Sequence, residues 1–406
     1  MEYVDLGYVP GEEVICRFFV EPNNISLEEA ANHIAGESSI GTWTDIATMK
    51  PDIASRLKPH VYSIDKKSAV CEISYPTELF EGDNMPQILS SIAGNIYGMK
   101  AVNNLRLLDF SFPKSLSTSF KGPRYGIDGV REILDVRDRP LLGTIVKPKV
   151  GLSAKEHAEV AFNSWVGGCD IVKDDENLTN QDFNPFEERI MATLEARDAA
   201  QQETGEKKVY MPNITAESCE MMRRAEFVKG MSGRYVMIDI VTAGFSAVQS
   251  IRGLDSDLVL HAHRAMHAAY TRNKRHGLSM KALALMARYV GVDQLHIGTV
   301  VGKMEGERAE VEEIKKSITS ELYGIKPVFP VCSGGLHPGS LPELISILGE
   351  DIIIQAGGGV HGHPDGTLKG AKALRQSLAA VMDDVPLNEY ASSHMELKRA
   401  LDKWGC

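Results

Sequence analysis

The chain has 406 residues, more than one hydrophobic core usually serves, so we expect one large domain and one smaller domain. An apolar share of 43% and a charged share of 24% exclude a largely disordered chain. The formal net charge of -11 argues against general binding to nucleic acid or to a membrane surface, so an anionic substrate would need a local cationic pocket.

The sequence carries neither a membrane-span pattern nor a secretory signal. No apolar run reaches the ~18 residues that suggest a span, and the first residues, Met-Glu-Tyr-Val-Asp, lack a basic segment followed by an apolar one. We therefore expect a cytoplasmic location. The cysteines are widely spaced, with no C-x-x-C pair, which is typical of buried free thiols rather than of a disulfide framework or a zinc site.

The first part of the chain, residues 1–125, mixes strand-like and helix-like patterns. Apolar runs at 13–20 and 68–75 are typical of strands, whereas the patterns near 26–35 and 86–94 are typical of helices. A small α+β domain is the prediction. A stretch rich in Pro and Gly then places the domain boundary near residue 125.

In residues 126–406, short apolar runs alternate with helical patterns such as 154–166, 185–204 and 280–290. Eight runs are typical of strands, near 140–147, 168–173, 208–213, 235–241, 257–263, 293–298, 326–332 and 351–356. This alternation predicts a (β/α)₈ barrel, a TIM barrel, with its active site at the carboxyl ends of the strands. A doubly wound sheet is the alternative, but no G-x-G-x-x-G motif follows the first strand.

The segment Lys-Asp-Asp-Glu at 173–176 ends the second predicted strand. Side chains two apart share a face of a strand, so Lys173 and Asp175 point the same way, and Glu176 follows where the chain turns. Two carboxylates suit Mg²⁺, which prefers oxygen ligands. Because an ammonium would be repelled, Lys173 either turns away or has captured CO₂ as a carbamate and become a third oxygen ligand. For this motif alone, a solvated acidic strand end is the alternative.

Other polar clusters also follow predicted strands. Cationic and imidazole side chains end strands one, five and six: Lys147, Lys149, His261, His263, Arg264 and His296. After strand six, the glycine-flanked loop 298–303 could close over a ligand and bring Lys303 with it. Singly, such a lysine is usually a surface residue and such a histidine a satisfied core residue, but their shared position predicts a site.

Strands seven and eight end in Ser-Gly-Gly at 333–335 and Gly-Gly-Gly at 357–359. Such glycines can simply form tight turns that bind no ligand. After the last two strands of a barrel, however, backbone N–H groups commonly bind phosphate. Arg264, His296 and Ser333 could hold a second anion. We infer a small bis-phosphorylated ligand that chelates Mg²⁺.

A metal flanked by cations favours proton removal next to a carbonyl, because the developing oxyanion meets the metal charge directly. The predicted chemistry is therefore enolisation. The base is either Lys147, made neutral by the nearby Lys149 and the metal, or the carbamate on Lys173. The sequence leaves these two open.

Together these motifs resemble the large subunit of ribulose-1,5-bisphosphate carboxylase/oxygenase (RuBisCO), and the archaeal type (form III) in particular. The resemblance runs nearly end to end. The motifs that carry it lie at 37–43, 94–98, 147–149, 167–176, 263–267, 298–303, 333–335 and 357–359. Two departures are Ile145, where plant-type enzymes have a threonine, and a shorter segment between Lys303 and Ser333.

The resemblance implies Mg²⁺-dependent enolisation of ribulose 1,5-bisphosphate and addition of CO₂, or of O₂ as a side reaction, giving two 3-phosphoglycerate. The implied metal ligands are the carbamate on Lys173, Asp175 and Glu176. The implied catalytic residues are Lys147, Lys173, His263 and Lys303. The implied substrate-binding residues are Glu37, Thr42, Trp43, Asn95, Lys149, Arg264, His296, Ser333, Gly334, Gly335, Gln355, Gly357 and Gly358.

In this family the N-terminal domain completes the partner's active site, so the resemblance implies a homodimer or an assembly of dimers without a small subunit. Glu37, Thr42, Trp43 and Asn95 would reach the partner's site. The resemblance further implies a carbon–carbon lyase, a secondary oxidoreductase (monooxygenase) class, and AMP metabolism as one pathway, with a carbon-fixing cycle left open. The alternative is a RuBisCO-like enolase or isomerase acting on a methylthio-sugar phosphate in sulfur salvage.

Overall fold

The computed structural model describes residues 1–42, 44, 46–254, 256–301 and 308–405. Within these residues the strands are β1 (Val14–Pro22), β2 (His60–Asp65), β3 (Val70–Tyr75), β4 (Val102–Ser111), β5 (Leu141–Ile145), β6 (Ile171–Lys173), β7 (Val209–Met211), β8 (Tyr235–Asp239), β9 (Val259–His263), β10 (Gly277–Leu278), β11 (Gln294–Gly298), β12 (Phe329–Ser333) and β13 (Ile353–Gln355).

The α-helices of the described residues are α1 (Leu27–Glu37), α2 (Pro51–Leu57), α3 (Met85–Ile92), α4 (Lys114–Ser117), α5 (Gly126–Leu134), α6 (Ala154–Val166), α7 (Phe186–Thr204), α8 (Ser218–Gly230), α9 (Ile240–Ala243), α10 (Phe245–Gly253), α11 (Ala268–Thr271), α12 (Met280–Tyr289), α13 (Arg308–Thr319), α14 (Leu341–Leu348), α15 (Gly358–His361), α16 (Thr367–Met382), α17 (Leu387–Tyr390) and α18 (Met395–Trp404). Short 3₁₀ turns lie at Thr77–Leu79, Asn95–Gly98 and Pro338–Ser340. No helix in the described part of the chain is long and apolar enough to cross a bilayer.

The contacts within the chain divide it into two compact units. The first unit comprises Met1–Gly122, Met266–Val290 and Glu321–Ile325. The second comprises Pro123–Ala265, Gly291–Ser320 and Lys326–Cys406.

The first unit is built on a five-stranded sheet with the order β10-β4-β1-β3-β2. The central strand β1 runs antiparallel to both β3 and β4. Its residues alternate between buried and more exposed positions, with Val14, Cys16, Phe18 and Val20 buried, as expected for a strand covered on one face. Helix α1 begins after Ser26, whose side chain accepts a hydrogen bond from the Glu29 N–H. The predicted α+β character is confirmed.

The second unit contains the eight parallel strands that the sequence predicts. Their order is β7-β6-β5-β13-β12-β11-β9-β8. A bridge between Asn213 and Met237 joins the two ends, with the Met237 N–H donating to the Pro212 carbonyl at 2.8 Å. The sheet is thus a barrel, and the doubly wound alternative is wrong. The interior at one level is filled by buried side chains such as Leu141, Ile171, Val209, Tyr235, Val259, Phe329, Val331 and Ile353.

The predicted helices have the expected positions, with one difference in how they pack. Helix α6 covers 154–166 as predicted and begins with a capping box formed by Ser153 and Glu156. Helix α12, predicted among the barrel helices, belongs to the first unit. It is buried on all sides, and the Tyr289 hydroxyl lies 3.1 Å from the Ser117 Oγ. A helix that is buried on all sides can pack into the core of either unit. Periodicity alone does not tell which unit it joins.

Asp293, at the start of β11, ties three elements of the barrel together. Its carboxylate accepts from the N–H groups of Tyr125 at 2.7 Å and Leu260 at 2.9 Å, and from Arg252 Nη2 at 2.5 Å. The Asp293 side chain is fully buried. The carboxylate therefore carries both the ion pair with Arg252 and the backbone contacts that hold the start of α5 and β9 in place.

We predict that Asp293→Asn lowers the free energy of unfolding by about 3–5 kcal/mol, because it leaves the buried Arg252 without its counter-charge. The matched control is Asp257→Asn, which removes an exposed carboxylate paired with Arg124 and should leave the stability nearly unchanged. Denaturant unfolding followed by circular dichroism measures both. Equal effects of the two substitutions would contradict this role of Asp293.

Candidate active site

Lys173 is the last residue of β6, and its side chain is 1% exposed. Its Nζ donates to the Asp174 carbonyl at 2.9 Å and lies 3.2 Å from Met237 Sδ. Burial lowers the pKa of Lys173 below its ordinary value, against the opposing charges of Glu176 and Asp175. Loss of a proton to give the neutral amine, which is the nucleophilic form, is therefore easier here than at an exposed lysine.

Asp175 and Glu176 each lie beside a cation. Asp175 is buried, and its Oδ2 accepts from Lys147 Nζ at 2.7 Å. Burial alone would raise the pKa of Asp175, but the hydrogen bond and charge of Lys147 outweigh it and hold the pKa below its usual value. Lys149 Nζ lies 3.6 Å from Glu176 Oε1. The structure thus brings both carboxylates together with the two predicted lysines of the first barrel strand.

His263 is held by an aspartate that was not among the predicted site residues. His263 Nδ1 lies 2.6 Å from Asp239 Oδ1, and its Nε2 lies 3.8 Å from Glu176 Oε2. The Asp239 N–H in turn donates to Thr215 Oγ1 at 2.9 Å. Because a carboxylate on Nδ1 favours hydrogen there, Nε2 is left as the nitrogen that faces Glu176. The signal was available, since Asp239 ends the fourth barrel strand after a buried run.

Asp174, between the predicted metal ligands, points into a separate buried network. Its carboxylate accepts from the Tyr210 hydroxyl at 2.6 Å, from Arg189 Nε at 3.1 Å and from the Asn213 N–H at 2.9 Å. Burial would raise the pKa of Asp174, but Arg189, His157 and Tyr210 hold it well below its usual range. Asp174 is therefore ionised and fixes the chain direction at the end of β6, so that Lys173 and Asp175 face the other side.

A row of polar side chains crosses the barrel between β9 and β12. His261 Nε2 lies 3.0 Å from His296 Nε2, and His296 Nδ1 lies 2.8 Å from Ser333 Oγ. His261 Nδ1 lies 2.9 Å from Gln294 Oε1. Of these four, the two imidazoles and Ser333 were expected at the site from the sequence, whereas Gln294 was not.

Arg264 follows β9 and lies against Gly298. A Cβ at Gly298 would lie 2.9 Å from Arg264 Nη2, and the φ of Gly298 is +99°, so a larger residue would displace the guanidinium and strain the backbone. Burial lowers the pKa of Arg264 to about 10. The side chain therefore remains a cation at neutral pH.

The predicted glycine turns lie at the ends of β12 and β13. Gly334 and Gly335 follow Ser333, and Gly357 precedes the short helix α15, which begins at Gly358. A Cβ at Gly357 would lie 3.3 Å from Lys147 Cε, so the glycine allows the lysine to pass close to the backbone.

Gln355, the last residue of β13, is buried, and its amide lies over Gly143. Neither amide atom has a hydrogen-bond partner among the described residues. The Gln355 amide can therefore still donate and accept hydrogen bonds.

The remaining predicted residues lie in the first unit or outside the described residues. Glu37, at the end of α1, and Thr42 line a groove of the first unit, and Asn95 is exposed in a 3₁₀ turn. Trp43 and Lys303 lie outside the described residues.

The donor set at the end of β6 fits Mg²⁺ under one condition. No three His, Cys, Asp or Glu side chains of the described residues are grouped so as to hold a metal ion. Asp175 and Glu176 supply hard oxygen donors, whereas the amine of Lys173 supplies none. A three-ligand oxygen site therefore requires that the Lys173 nitrogen carry an oxygen-bearing group, and a carbamate meets that need.

Family models match nearly the whole chain: the ribulose bisphosphate carboxylase large chain N-terminal domain over residues 2–116 and its catalytic domain over residues 126–404. The chain belongs to this family. A ribulose bisphosphate carboxylase of Methanocaldococcus jannaschii is 54% identical, with 100% of each chain covered.

Two solved RuBisCO structures are similar to the chain. The octameric enzyme of Pyrococcus horikoshii has a TM-score of 0.97 and 51% identity, covering 99% of this chain and 96% of that one. The dimeric archaeal enzyme of Hyperthermus butylicus has a TM-score of 0.94 and 46% identity, covering 100% and 99%. The predicted archaeal type is confirmed.

The comparisons correct two sequence-based expectations. The oxidoreductase (monooxygenase) class and the place in AMP metabolism are not supported, because the curated relatives carry the name of a carboxylase. Both expectations came from the resemblance alone, and no side-chain geometry of the described residues bears on either.

We predict that Tyr210→Phe lowers the free energy of unfolding by about 1.5–3 kcal/mol, because the buried, ionised Asp174 loses a charge-assisted hydrogen bond. Tyr235→Phe is the matched control. Tyr235 is a buried tyrosine of the next strand whose hydroxyl has no partner among the described residues, so its loss should leave the stability unchanged or slightly higher. Urea unfolding curves measure the free energy of unfolding of both variants. An equally large loss of stability in Tyr235→Phe would refute this role of the Tyr210 hydroxyl.

Proposed function

We propose that the chain is a ribulose-bisphosphate carboxylase, a carbon–carbon lyase that converts ribulose 1,5-bisphosphate, CO₂ and water into two molecules of 3-phosphoglycerate. The observation that carries the proposal is the convergence of Lys147, Lys173, Asp175, Glu176 and His263 at the carboxyl end of a barrel. About half-identity to named carboxylases over the full length supports the same substrate.

Activation begins at Lys173. Its amine, once neutral, attacks the carbon of CO₂, so that a C–N bond forms while one C=O π bond breaks toward oxygen. The nitrogen then loses a proton to water, which leaves an anionic carbamate. The carbamate, Asp175 and Glu176 would hold Mg²⁺. The bound ion would supply positive charge opposite the oxygen on which negative charge develops.

Lys147 is the proposed acceptor of the substrate C3 proton. Its Nζ donates a hydrogen bond to Asp175 at 2.7 Å. The nitrogen can therefore accept a proton only after the Asp175 carboxylate has moved to another partner. Lys149, close to Glu176, adds positive charge beside the substrate. His263, oriented by Asp239, is the proposed second acid and base for the hydration step.

The two substrate phosphates would bind at opposite sides of the barrel. Arg264 is the cation for one phosphate, with His296 and Ser333 beside it. Backbone N–H groups of Gly334, Gly335, Gly357 and Gly358, after the last two strands, would hold the other phosphate, with Gln355 beside them.

A second copy of the chain is proposed to complete each site. Glu37, Thr42, Trp43 and Asn95 would come from the N-terminal domain of that copy, residues 1–125, whereas Lys303 belongs to the catalytic domain, residues 126–406. The relatives from Hyperthermus butylicus and Pyrococcus horikoshii are described as dimeric and octameric. We therefore propose a homodimer or an assembly of dimers, without a small subunit.

We also propose a cytoplasmic location. The support is that Cys16, Cys71, Cys169 and Cys332 are buried free thiols, as is common in a reducing compartment. The sulfur-salvage alternative is favoured by no observation in this chain.

The activity is tested by incorporation of ¹⁴C-bicarbonate into acid-stable 3-phosphoglycerate with ribulose bisphosphate and Mg²⁺. We expect preincubation with CO₂ and Mg²⁺ to raise the initial rate, because the carbamate forms first. Lys173→Ala should abolish turnover, whereas Lys155→Ala, at an exposed position of α6, should leave it unchanged. Wild-type rates in Lys173→Ala would rule out the proposed metal site.

Substitution of two lysines should distinguish enolisation from carboxylation. Lys303→Ala should stop carboxylation yet spare exchange of the substrate C3 proton, because that lysine is proposed to act on CO₂. Lys147→Ala should lose both, because it removes the base. Tritium exchange at C3, measured beside ¹⁴C fixation, separates the outcomes. Equal loss of both activities in Lys303→Ala is the result that the proposed roles do not allow.

A further inference from the structure

Gln294, His261, His296 and Ser333 form one hydrogen-bonded row, which we call the amide–imidazole row. Its three links measure 2.9, 3.0 and 2.8 Å. Gln294 and His261 are fully buried and His296 nearly so, whereas Ser333 is partly exposed at the end of β12. Ser333 is therefore the member of the row that a ligand can reach.

Both imidazoles in the row are neutral. Burial lowers the pKa of His261 to about 3, and burial together with the neighbouring His261 lowers the pKa of His296 well below its ordinary value. A neutral imidazole has one N–H and one lone pair. Since both nitrogens of each ring are engaged within the row, the position of one hydrogen fixes all the others.

Gln294 sets the direction of the row. Its Oε1 can only accept, so His261 Nδ1 carries the hydrogen and His261 Nε2 the lone pair. His296 must then donate from Nε2 and accept at Nδ1. The hydrogen of the Ser333 hydroxyl is thereby directed toward His296. The reverse direction would require the Gln294 amide to be turned over, with its Nε2 as the donor.

We propose that Gln294 is a positioning residue that acts through the amide–imidazole row and makes Ser333 a hydrogen-bond acceptor in the substrate site. Ser333 then binds a hydroxyl group of the ligand rather than a phosphate oxygen, since its own hydrogen is committed to His296. The identity of the ligand, a sugar bisphosphate with free hydroxyls, rests on the proposed function.

The direct test is neutron diffraction from crystals of the perdeuterated full chain, which locates deuterium. We expect deuterium on His261 Nδ1 and on His296 Nε2, with the Ser333 deuterium directed toward His296. Deuterium on His261 Nε2, on His296 Nδ1 or on both nitrogens of either ring overturns the inference. This measurement does not depend on turnover, so its failure is distinguishable from failure of the proposed function.

Steady-state kinetics supply the second test. Gln294→Met, which keeps a similar length but accepts no strong hydrogen bond, should raise the KM for ribulose bisphosphate by about 3- to 10-fold and leave kcat within about twofold. In a Ser333→Ala background, Gln294→Met should change KM no further, because the residue through which it acts is gone. The same loss in both backgrounds, or a fall in kcat alone, would show that Gln294 does not act through Ser333.

Discussion

The burial of one amine is the constraint on which the site depends. Lys173 ends a barrel strand with its nitrogen out of water, and the only oxygen to which it donates among the described residues is a backbone carbonyl. Such a position disfavours the ammonium form, and the nearby charges of Asp175 and Glu176 only partly restore it. An amine whose neutral form is more accessible than at an exposed lysine can react with CO₂, and the resulting anion would complete an oxygen site for a divalent ion.

The barrel brings other functional side chains close to the buried Lys173 amine. Because the eight strands are parallel and closed, their carboxyl ends deliver side chains from distant parts of the sequence to one rim. Buried carboxylates behind the rim then set orientations: Asp174 fixes the end of β6, and Asp239 fixes the His263 ring. Asp239 contacts the proposed catalytic residue His263 directly, whereas the Asp174 carboxylate acts through Tyr210, Arg189 and Asn213.

Much of the fold and part of the site could be predicted from the sequence. The eight barrel strands follow from short apolar runs, and α6 from its capping box, because these signals are local. Helix α12 joins the first unit, which no local pattern reveals. Lys147 and Asp175 were expected in one site because each follows a predicted barrel strand, whereas Gln294 was missed because its partners, His261 and His296, are set by strand register. The roles of the phosphate-binding glycines and of Lys303 stay proposals.

The central claim is that the Lys173 amine becomes a carbamate that binds Mg²⁺. The most direct measurement is ¹³C NMR of the protein after incubation with ¹³CO₂ and Mg²⁺, compared with Lys173→Ala under the same conditions. The account predicts one carbamate resonance per chain, sharpened or shifted by Mg²⁺ and absent from the variant. An unmodified Lys173 in a protein that nevertheless binds Mg²⁺ and fixes CO₂ would contradict it.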